Sequence, residues 1–394
     1  MNFIPLLMLL NVVAIATAYS FVISLKLYNR LYRRRAARRY AHKYQPTKSI
    51  FVPCKGVNDQ FAENVRAFLR LVDERTKLFL IVESREDPAF QVLKELCRDT
   101  MHAYVVVAGF AKYCGQKNHN SLKGIKASEE RDDVYVFLDS NTSLTPEQVQ
   151  ELIRPLSDPE VTAAVGFRWN ILSQATLGER LHAFMIALQW SLMNCAFIPA
   201  IWGGAMTLRR ETFEKMGVRE HWMQTSVDDM TLQELIQKQR RRAIFVPTCV
   251  KETRNTIKTV KGSVEWFTRQ VLYTKFHLRP SWLAMVAIFA YPTLNILAFP
   301  FLFTYSLIAP SQTSIELTCT VGAFIGLVML YCVFIKRPSA NDNNSTLSWF
   351  ALSPVYMLLT SYAILRTLFM RKLAWKGIAY HLDYHGRVKK IVRN

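Results

Sequence analysis

The sequence lacks the features that define several protein classes. Only 14 Gly and 15 Pro occur in 394 residues, which is too few for a fibrous or low-complexity chain. Acidic residues are also scarce, because 30 Asp and Glu stand against 50 Lys and Arg and leave a net charge of +20. Hydrophobic residues make up 51% of the chain, which excludes a disordered protein. So apolar and so basic a sequence is expected of a membrane protein with separate apolar and basic blocks.

The seven cysteines form no recognisable framework. No two of them have the C-x-x-C spacing, and no cluster of histidines lies near any of them. An odd number of cysteines without such spacing predicts reduced thiols in a cytosol-facing protein and argues against a zinc site. The cysteines are Cys54, Cys97, Cys114, Cys195, Cys249, Cys319 and Cys332.

Charged residues are absent from Met1–Leu25, and a basic run follows between Lys26 and Lys43. The apolar block is long enough for a transmembrane helix, which needs about 20 residues, and it lacks the basic start of a signal peptide. Because cytosolic flanks carry excess Lys and Arg, we expect the N-terminus outside and the next domain in the cytosol. In isolation the basic run would also suit a nucleic-acid-binding arm, but its place after an apolar span favours the topological interpretation.

Two further charge-free blocks, Trp282–Ser314 and Leu317–Ile335, occur near the C-terminus. They predict a transmembrane hairpin that turns within Pro310–Glu316, because basic residues flank the pair on both outer sides. The flanking residues are Lys275, Arg279, Lys336 and Arg337.

A fourth apolar block, Leu347–Leu365, contains Pro354 and precedes a basic tail. A complete crossing would place that tail outside, against the positive-inside rule. We therefore expect an interfacial or re-entrant segment that keeps the tail in the cytosol.

These blocks leave one large globular region, which is long enough to form an α/β domain. We divide the chain into a transmembrane anchor (1–25), a basic juxtamembrane linker (26–47), the α/β domain (48–255), an amphipathic interfacial region (256–281), a transmembrane hairpin (282–335), and a third apolar or re-entrant segment with a basic cytosolic tail (336–394).

Apolar strands alternate with amphipathic helices in the globular region. Strands are predicted at 49–53, 78–82, 103–107 and 134–138, and helices at 64–72, at 88–97 and from 121. Such alternation indicates a mostly parallel sheet that is covered on both faces. Ligands bind beyond the carboxyl ends of parallel strands, where Glu83 and Asp139 follow two of these strands.

Asp139-Ser140-Asn141 offers a carboxylate that can bind a divalent metal, because Mg²⁺ prefers oxygen ligands and phosphates. The same residues could instead cap a helix. Thr145, which precedes Pro146, suits that capping function better.

Two other motifs suggest chemistry. Gly203-Gly204 would let the backbone approach a ligand closely, although it could also be a plain turn. Asp228-Asp229 starts a predicted helix. Repulsion between adjacent carboxylates can raise one pKa towards the range of a general base, whereas acids in a first helical turn also occur for the dipole alone.

Basic and polar side chains elsewhere could contact a charged ligand. Lys117 and Asn120 could hold phosphate or sugar hydroxyls. Trp266–Lys275 is an amphipathic basic segment, which is typical of an interfacial membrane helix. A binding function there would require Arg269 or Gln270 to turn towards the site.

The order of these motifs resembles that of ceramide glucosyltransferases, and the resemblance spans nearly the whole chain. It includes the anchor before the domain and the hairpin after it. The matching segments are Val52–Val57, Val82–Ala89, Asp139-Ser140, Gly203-Gly204, Asp228-Asp229, Thr268–Gln270 and Trp375–Tyr380. The chain is therefore similar to glycosyltransferase family 2, in its ceramide glucosyltransferase-like branch.

This resemblance implies a GT-A-type domain on the cytosolic face of a bacterial inner membrane or of a Golgi or ER membrane. It implies an inverting transfer of a sugar, which we expect to be glucose from UDP-glucose, to a lipid hydroxyl such as ceramide. The implied partners are a nucleotide-sugar donor, a membrane lipid acceptor and the bilayer, with no nucleic acid. The implied cofactor is Mg²⁺ or Mn²⁺.

The resemblance also assigns site residues by position. Asp229 matches the general base, with Asp228 beside it, and Asp139 matches the carboxylate of the donor diphosphate and metal. The remaining donor-binding positions are Glu83, Asp87, Lys117, Gly203, Gly204, Arg269 and Gln270.

Three departures from the family pattern bear on function. Asn141 stands where a second metal carboxylate is frequent, and Glu83-Ser84 stands where an Asp is usual. Leu272-Tyr273 replaces an Arg-Trp pair, which argues against a processive polysaccharide synthase. A polysaccharide synthase or polyprenyl-phosphate sugar transferase remains the enzymatic alternative, and a basic membrane scaffold without catalysis is the other.

Overall fold

The computed structural model describes residues 4–40, 43–193, 200–336, 341 and 344–393. These residues form two compact units. The first draws on Met1–Tyr28, Asn170–Ala196 and Arg254–Met370, and the second on Asn29–Trp169, Phe197–Thr253 and Arg371–Asn394. The second unit overlaps the α/β domain predicted at 48–255 but also includes the C-terminal tail.

A seven-stranded sheet forms the centre of the second unit, with the order β3-β2-β1-β4-β6-β5-β7. Its strands are β1 (Lys48–Pro53), β2 (Thr76–Val82), β3 (Ala103–Val107), β4 (Val134–Leu138), β5 (Ala163–Ile171), β6 (Ala205–Arg209) and β7 (Ala243–Arg254). The four strands that the sequence predicts are β1 to β4, and they pair in parallel. The prediction of a mostly parallel α/β sheet is thus confirmed.

The parallel strands are almost wholly apolar because both faces of the sheet are covered. Phe51, at the centre of β1, stacks on Phe79 of β2 with ring centroids 5.5 Å apart. It also contacts Phe137 of β4 at 5.4 Å. β6 runs antiparallel to β4 and places Ala205 opposite Leu138. The start of β6 therefore lies at the same edge as the carboxyl ends of β1, β2 and β4.

Helices connect the strands of this unit. They are α2 (Phe61–Leu69), α3 (Pro88–Cys97), α4 (Gln116–Ala127), α5 (Pro146–Ile153), α7 (Arg210–Lys215), α8 (Val218–Trp222) and α9 (Asp229–Lys238). The N-terminal helix α1 (Ile4–Arg39) precedes them in the chain, and α6 (Leu177–Met193) lies between α5 and α7 in the sequence. α3 has its predicted bounds, whereas α4 begins at Gln116 and not at Ser121. Thr145 caps α5 through a capping box with Gln148, as its sequence indicates.

The other helices are α10 (Val260–His277), α11 (Arg279–Ile308), α12 (Gln312–Phe334) and α13 (Thr346–Arg366). Among the described residues, four helical segments are long and apolar enough to cross a membrane: Ile4–Ser24, α11, α12 and α13. The first three coincide with the predicted anchor and hairpin. The hairpin turns between Ile308 and Gln312, which overlaps only the start of the predicted interval Pro310–Glu316. Arg337, one of its predicted flanks, lies outside the described residues.

A few partly buried polar contacts join the apolar helices of the first unit. Thr318 of α12 donates to the carbonyl of Leu302 on α11 at 3.1 Å. Tyr291 of α11 donates to Asn11 of α1 at 2.5 Å. In α13, Pro354 lies inside the helix without ending it. The break expected of a re-entrant segment therefore does not occur, and the position of α13 relative to a membrane stays a prediction.

The basic tail folds into a three-stranded antiparallel sheet that the sequence analysis did not predict. Its strands are β8 (Lys372–Trp375), β9 (Ile378–Leu382) and β10 (Val388–Arg393). A two-residue turn joins β8 to β9, and its residues Lys376 and Gly377 both have positive φ, of 43° and 76°. This turn matches the right-handed twist of the two strands.

The six described cysteines, Cys54, Cys97, Cys114, Cys249, Cys319 and Cys332, are all free thiols. That these thiols are reduced in a cytosol-facing protein stays a prediction, and Cys195 lies outside the described residues.

Candidate active site

Three segments of the second unit meet at the carboxyl edge of the sheet. Glu83 follows β2, and Asp139 follows β4, as the sequence predicts. The Gly203-Gly204 segment precedes β6, and the backbone N–H of Asp139 donates to the carbonyl of Gly204 at 3.0 Å. Sites in sheets of this kind lie beyond the carboxyl ends of the strands, so this edge is the candidate active site.

The ammonium group of Lys117 connects the segments of Asp139 and Gly203 with the one that carries Asp228. Its Nζ lies 2.9 Å from Asp139 Oδ1 and 2.8 Å from Asp228 Oδ2. It also donates to the carbonyl of Gly203 at 2.9 Å. Burial works against the charge of this lysine, but the carboxylates of Asp139, Asp228 and Asp229 outweigh that effect and raise the pKa of Lys117. Lys117 is therefore a fixed positive charge.

The first turn of α4 holds Lys117 in place. The backbone N–H of Gly115 donates to the carbonyl of Thr225 at 2.8 Å. A Cβ on Gly115 would lie 2.3 Å from the carbonyl oxygen of Ser226, so only glycine allows this approach. Asn118 donates to the same Thr225 carbonyl at 3.1 Å. These contacts join the start of α4 to the segment that carries Asp228.

The two adjacent aspartates differ in environment. The Asp228 side chain is only 3% exposed and is paired with Lys117. Asp229 is partly exposed; its carboxylate accepts hydrogen bonds from the backbone N–H of Gly203 at 3.0 Å and of Met230 at 2.7 Å. Loss of solvation and repulsion from Asp228 outweigh these bonds and the attraction of Lys117, and they raise the pKa of Asp229 to about 7.

Gly203 packs closely against the charged side chains of this centre. A Cβ at this position would lie 2.9 Å from Asp228 Oδ1 and 3.1 Å from Lys117 Nζ. Its carbonyl accepts from Lys117 while its N–H donates to Asp229. The close backbone approach predicted for the Gly-Gly pair is present, and here it serves the charged side chains of the protein.

A second charged cluster surrounds Glu83. Its carboxylate pairs with Lys55, which follows β1, and with Arg393 of β10, whose Nη1 lies 3.3 Å away. Asp87 caps α3 through the N–H of Ala89 and accepts a second bond, at 2.9 Å, from the N–H of Gly56. Glu83 thus lies at the end of β2 and Asp87 at the start of α3, but their carboxylates already have protein partners.

The tail sheet contacts the same edge at further points. The Tyr380 hydroxyl accepts from the N–H of Gln116 at 3.1 Å, and Val388 N–H donates to the carbonyl of Gln224 at 2.8 Å. Arg393 Nη2 donates to Gln116 Oε1 at 2.6 Å. Sequence reasoning missed Lys55 and Arg393. No sequence signal pointed to either residue, and the two short apolar runs on each side of Lys376-Gly377 indicate at most a hairpin.

The structure therefore brings most predicted residues to one edge of one unit. Those that meet directly are Lys117, Asp139, Gly203, Gly204, Asp228 and Asp229. Arg269 and Gln270 lie on α10 of the first unit. Their function near the donor phosphates stays a prediction.

Among the described residues, no group of three or more His, Cys, Asp or Glu could hold a metal ion. Asp139 nevertheless suits one ligand position, because its carboxylate follows β4 and is 33% exposed. Mg²⁺ is commonly bound by one or two carboxylates together with substrate phosphates. The site thus fits a divalent metal whose other ligands come from a diphosphate, and Asn141, which is exposed, adds no carboxylate.

The fold is that of GT-A-type glycosyltransferases. The mannosyltransferase PcManGT from Pyrobaculum calidifontis, solved with GDP-Man and Mn²⁺, covers 92% of this chain and 99% of its own, with a TM-score of 0.53 at 15% identity. Glucosyl-3-phosphoglycerate synthase from Mycobacterium tuberculosis, solved with Mn²⁺, UDP and glucosyl-3-phosphoglycerate, covers 53% of this chain and 70% of its own at 15% identity. Its TM-score of 0.33 is too low to show a shared fold.

Residues 6–388 match the pattern of Glycosyl transferase family 21, so the chain belongs to that family. The ceramide glucosyltransferase-like resemblance is consistent with this membership, whereas the family 2 label is not confirmed. Curated proteins include no significant match.

The raised pKa of Asp229 predicts a pH dependence of stability. A carboxyl that binds its proton more tightly in the folded state stabilises the fold below its ordinary pKa of 3.8, and this contribution is lost as the pH rises through about 7. We expect the melting temperature of Asp229→Asn to fall less than that of the wild type over this interval. Asp99→Asn, a change at an exposed aspartate, should follow the wild type. Identical profiles for all three proteins would contradict the raised pKa.

Proposed function

We propose that this chain is a membrane-bound inverting glycosyltransferase that moves glucose from UDP-glucose to a lipid hydroxyl such as that of ceramide. The observation that carries the proposal is the geometry of Asp229, a partly exposed carboxyl at the carboxyl edge of the sheet that the N–H groups of Gly203 and Met230 orient and whose pKa is raised by burial and by Asp228. Membership of Glycosyl transferase family 21 and four candidate membrane helices support it.

Asp229 acts as the general base in this proposal. Its carboxylate takes the proton of the lipid hydroxyl while that oxygen attacks the anomeric carbon of the sugar. The bond from that carbon to the diphosphate oxygen breaks, and its electron pair leaves with the nucleoside diphosphate. A base is most effective when its pKa lies near the working pH, and the environment of Asp229 meets that condition.

Asp228 and Lys117 act as positioning residues. Their ion pair of 2.8 Å keeps a negative charge beside Asp229 and fixes the Gly203 carbonyl. The Gly203 N–H in turn orients the Asp229 carboxylate. A carboxylate that is oriented in this way can accept a proton without first reorganising when the substrate hydroxyl approaches it.

Asp139 would hold Mg²⁺ or Mn²⁺ together with the donor diphosphate, and the metal would supply electrostatic stabilisation of the leaving group. The PcManGT structure was solved with Mn²⁺ and GDP-Man, which is in keeping with this proposal. Arg269 and Gln270 contact the donor phosphates in the proposed complex, as the family resemblance implies. Glu83, Asp87 and Gly204 shape the nucleotide end of the site.

We also propose that the catalytic unit faces the cytosol and that α13 does not complete a crossing. The tail sheet is hydrogen bonded within the catalytic unit, through Val388 and Gln224. Both therefore lie on one side of the membrane, and the chain between Thr253 and Arg371 must cross an even number of times. The α11–α12 hairpin supplies two crossings, which leaves α13 partly inserted or interfacial.

Replacement of the base should abolish transfer. We expect Asp229→Asn to lower the rate by at least about a hundredfold, because general bases contribute factors of 10² to 10⁴, with donor binding nearly unchanged. Purified membranes would receive labelled UDP-glucose, UDP-galactose, UDP-glucuronate or GDP-mannose, with ceramide or diacylglycerol. Asp99→Asn is the matched control. Full turnover by Asp229→Asn would remove Asp229 from the base function, and a polymeric product would favour a polysaccharide synthase.

Removal of the Asp139 carboxylate should weaken donor binding that depends on metal. We expect Asp139→Ala to bind UDP-glucose about tenfold or more weakly in Mn²⁺ and to lose the difference between Mn²⁺ and chelator. Titration of the purified protein by calorimetry measures both affinities, with Asp99→Ala as control. Unchanged affinity in both conditions would refute this assignment.

The proposed topology predicts which cysteines an impermeant maleimide can reach. In a Cys319→Ser background, cysteines would be placed at three exposed positions: Gln312 in the hairpin turn, Tyr384 in the tail and Asp99 in the catalytic unit. We expect Tyr384→Cys and Asp99→Cys to be labelled from one side of the membrane and Gln312→Cys from the other. Labelling of Tyr384→Cys from the side that labels Gln312→Cys would contradict the topology.

A further inference from the structure

The C-terminal sheet, β8 to β10, contacts three of the segments that build the candidate site. Lys376 Nζ donates to the carbonyl of Lys55, after β1, at 2.8 Å. Arg393 pairs with Glu83, after β2. Tyr380 accepts from the N–H of Gln116, directly before Lys117. The sheet thus adjoins the strand ends where a donor would bind, although the chain reaches it only after the apolar helices.

Lys376 differs from the other lysines at this edge. Lys55 is paired with Glu83, and Lys117 is paired with Asp139 and Asp228. In the described part of the chain, no carboxylate forms an ion pair with Lys376. Its ammonium group contacts a backbone carbonyl and lies 5.6 Å from the ring centroid of Trp375. Its positive charge is therefore available to an anion.

The backbone at Lys376 is unusual for a lysine. Its φ of 43° lies in the left-handed region, where Asn and Gly are favoured and a long side chain is uncommon. Strained backbone of this kind is enriched at functional sites. The two-residue turn would form more readily with Asn at this position, so the choice of lysine calls for a reason other than the turn.

The charged groups around Lys376 supply a reason for a lysine at this position. Burial lowers the pKa of Lys376, and the charges that act on it include the attractive carboxylates of Asp139 and Asp87 and the repulsive ammonium of Lys55. Asp139 is also the carboxylate assigned to the donor diphosphate and metal. An ammonium group within the influence of that carboxylate is well placed for a phosphate, which lysine binds as a point charge.

We propose that Lys376, at the tip of the β8–β9 turn, binds the diphosphate of the nucleotide donor. The tail sheet is then part of the donor site. This inference rests on the proposed glycosyltransferase function, because it requires a nucleoside diphosphate to occupy the edge of the sheet near Asp139.

The test compares UDP with uridine, and GDP with guanosine, on the full-length protein in detergent with Mn²⁺. We expect Lys376→Asn to bind the nucleoside diphosphate about tenfold more weakly, with nucleoside affinity unchanged, because only the diphosphate meets the ammonium group. Lys376→Arg should keep most of the affinity. The melting temperature of Lys376→Asn should not fall, since Asn accepts the positive φ.

Lys390→Asn is the control, because Lys390 is an exposed lysine of the same small sheet. Unchanged diphosphate affinity in Lys376→Asn would overturn the inference, as would an equal loss for nucleoside and nucleoside diphosphate. If the wild-type protein binds neither UDP nor GDP, the proposed donor fails as well. Wild-type binding that persists in Lys376→Asn refutes only the inference about Lys376.

Discussion

The ammonium group of Lys117 is buried between two carboxylates, and the arrangement of the candidate site depends on this contact. Asp139 and Asp228 come from distant parts of the chain, yet both lie within 3 Å of Lys117 Nζ. A buried charge is costly without a partner, and removal of one partner leaves the other uncompensated. The ion pairs therefore hold the end of β4, the start of α4 and the start of α9 in one geometry.

The different environments of Asp228 and Asp229 follow from that contact. Lys117 neutralises Asp228, while Asp229 is held by two backbone N–H groups and carries a pKa of about 7. Two carboxylates whose surroundings separate their proton affinities can serve different functions in one site. The proposed division between a positioning residue and a base thus follows from the pairing of Asp228 with Lys117 and from the burial of Asp229 beside the Asp228 carboxylate.

The C-terminal tail places a constraint on the whole chain. Strands β9 and β10 are hydrogen bonded within the second unit, so the chain between Thr253 and Arg371 leaves this unit and returns to it. In the proposed topology, this return keeps the basic tail in the cytosol, in agreement with the positive-inside rule. It also places Lys376 and Arg393 beside strand ends that precede them by some 300 residues in the sequence.

Structural features that depend on a short stretch of sequence, such as single strands and helix starts, could be predicted from the sequence. Continuous apolar runs predicted β1 to β4, the Thr145-Pro146 pair predicted the start of α5, and charge-free blocks predicted the long apolar helices. Glu83 and Asp139 were placed correctly because each directly follows such a run. The partners of these carboxylates could not be predicted, nor could the antiparallel strand β6 or the tail sheet. The sequence by itself determines local conformation through periodicity and capping, whereas only the tertiary structure decides which distant charges become neighbours, because burial makes their pairing necessary.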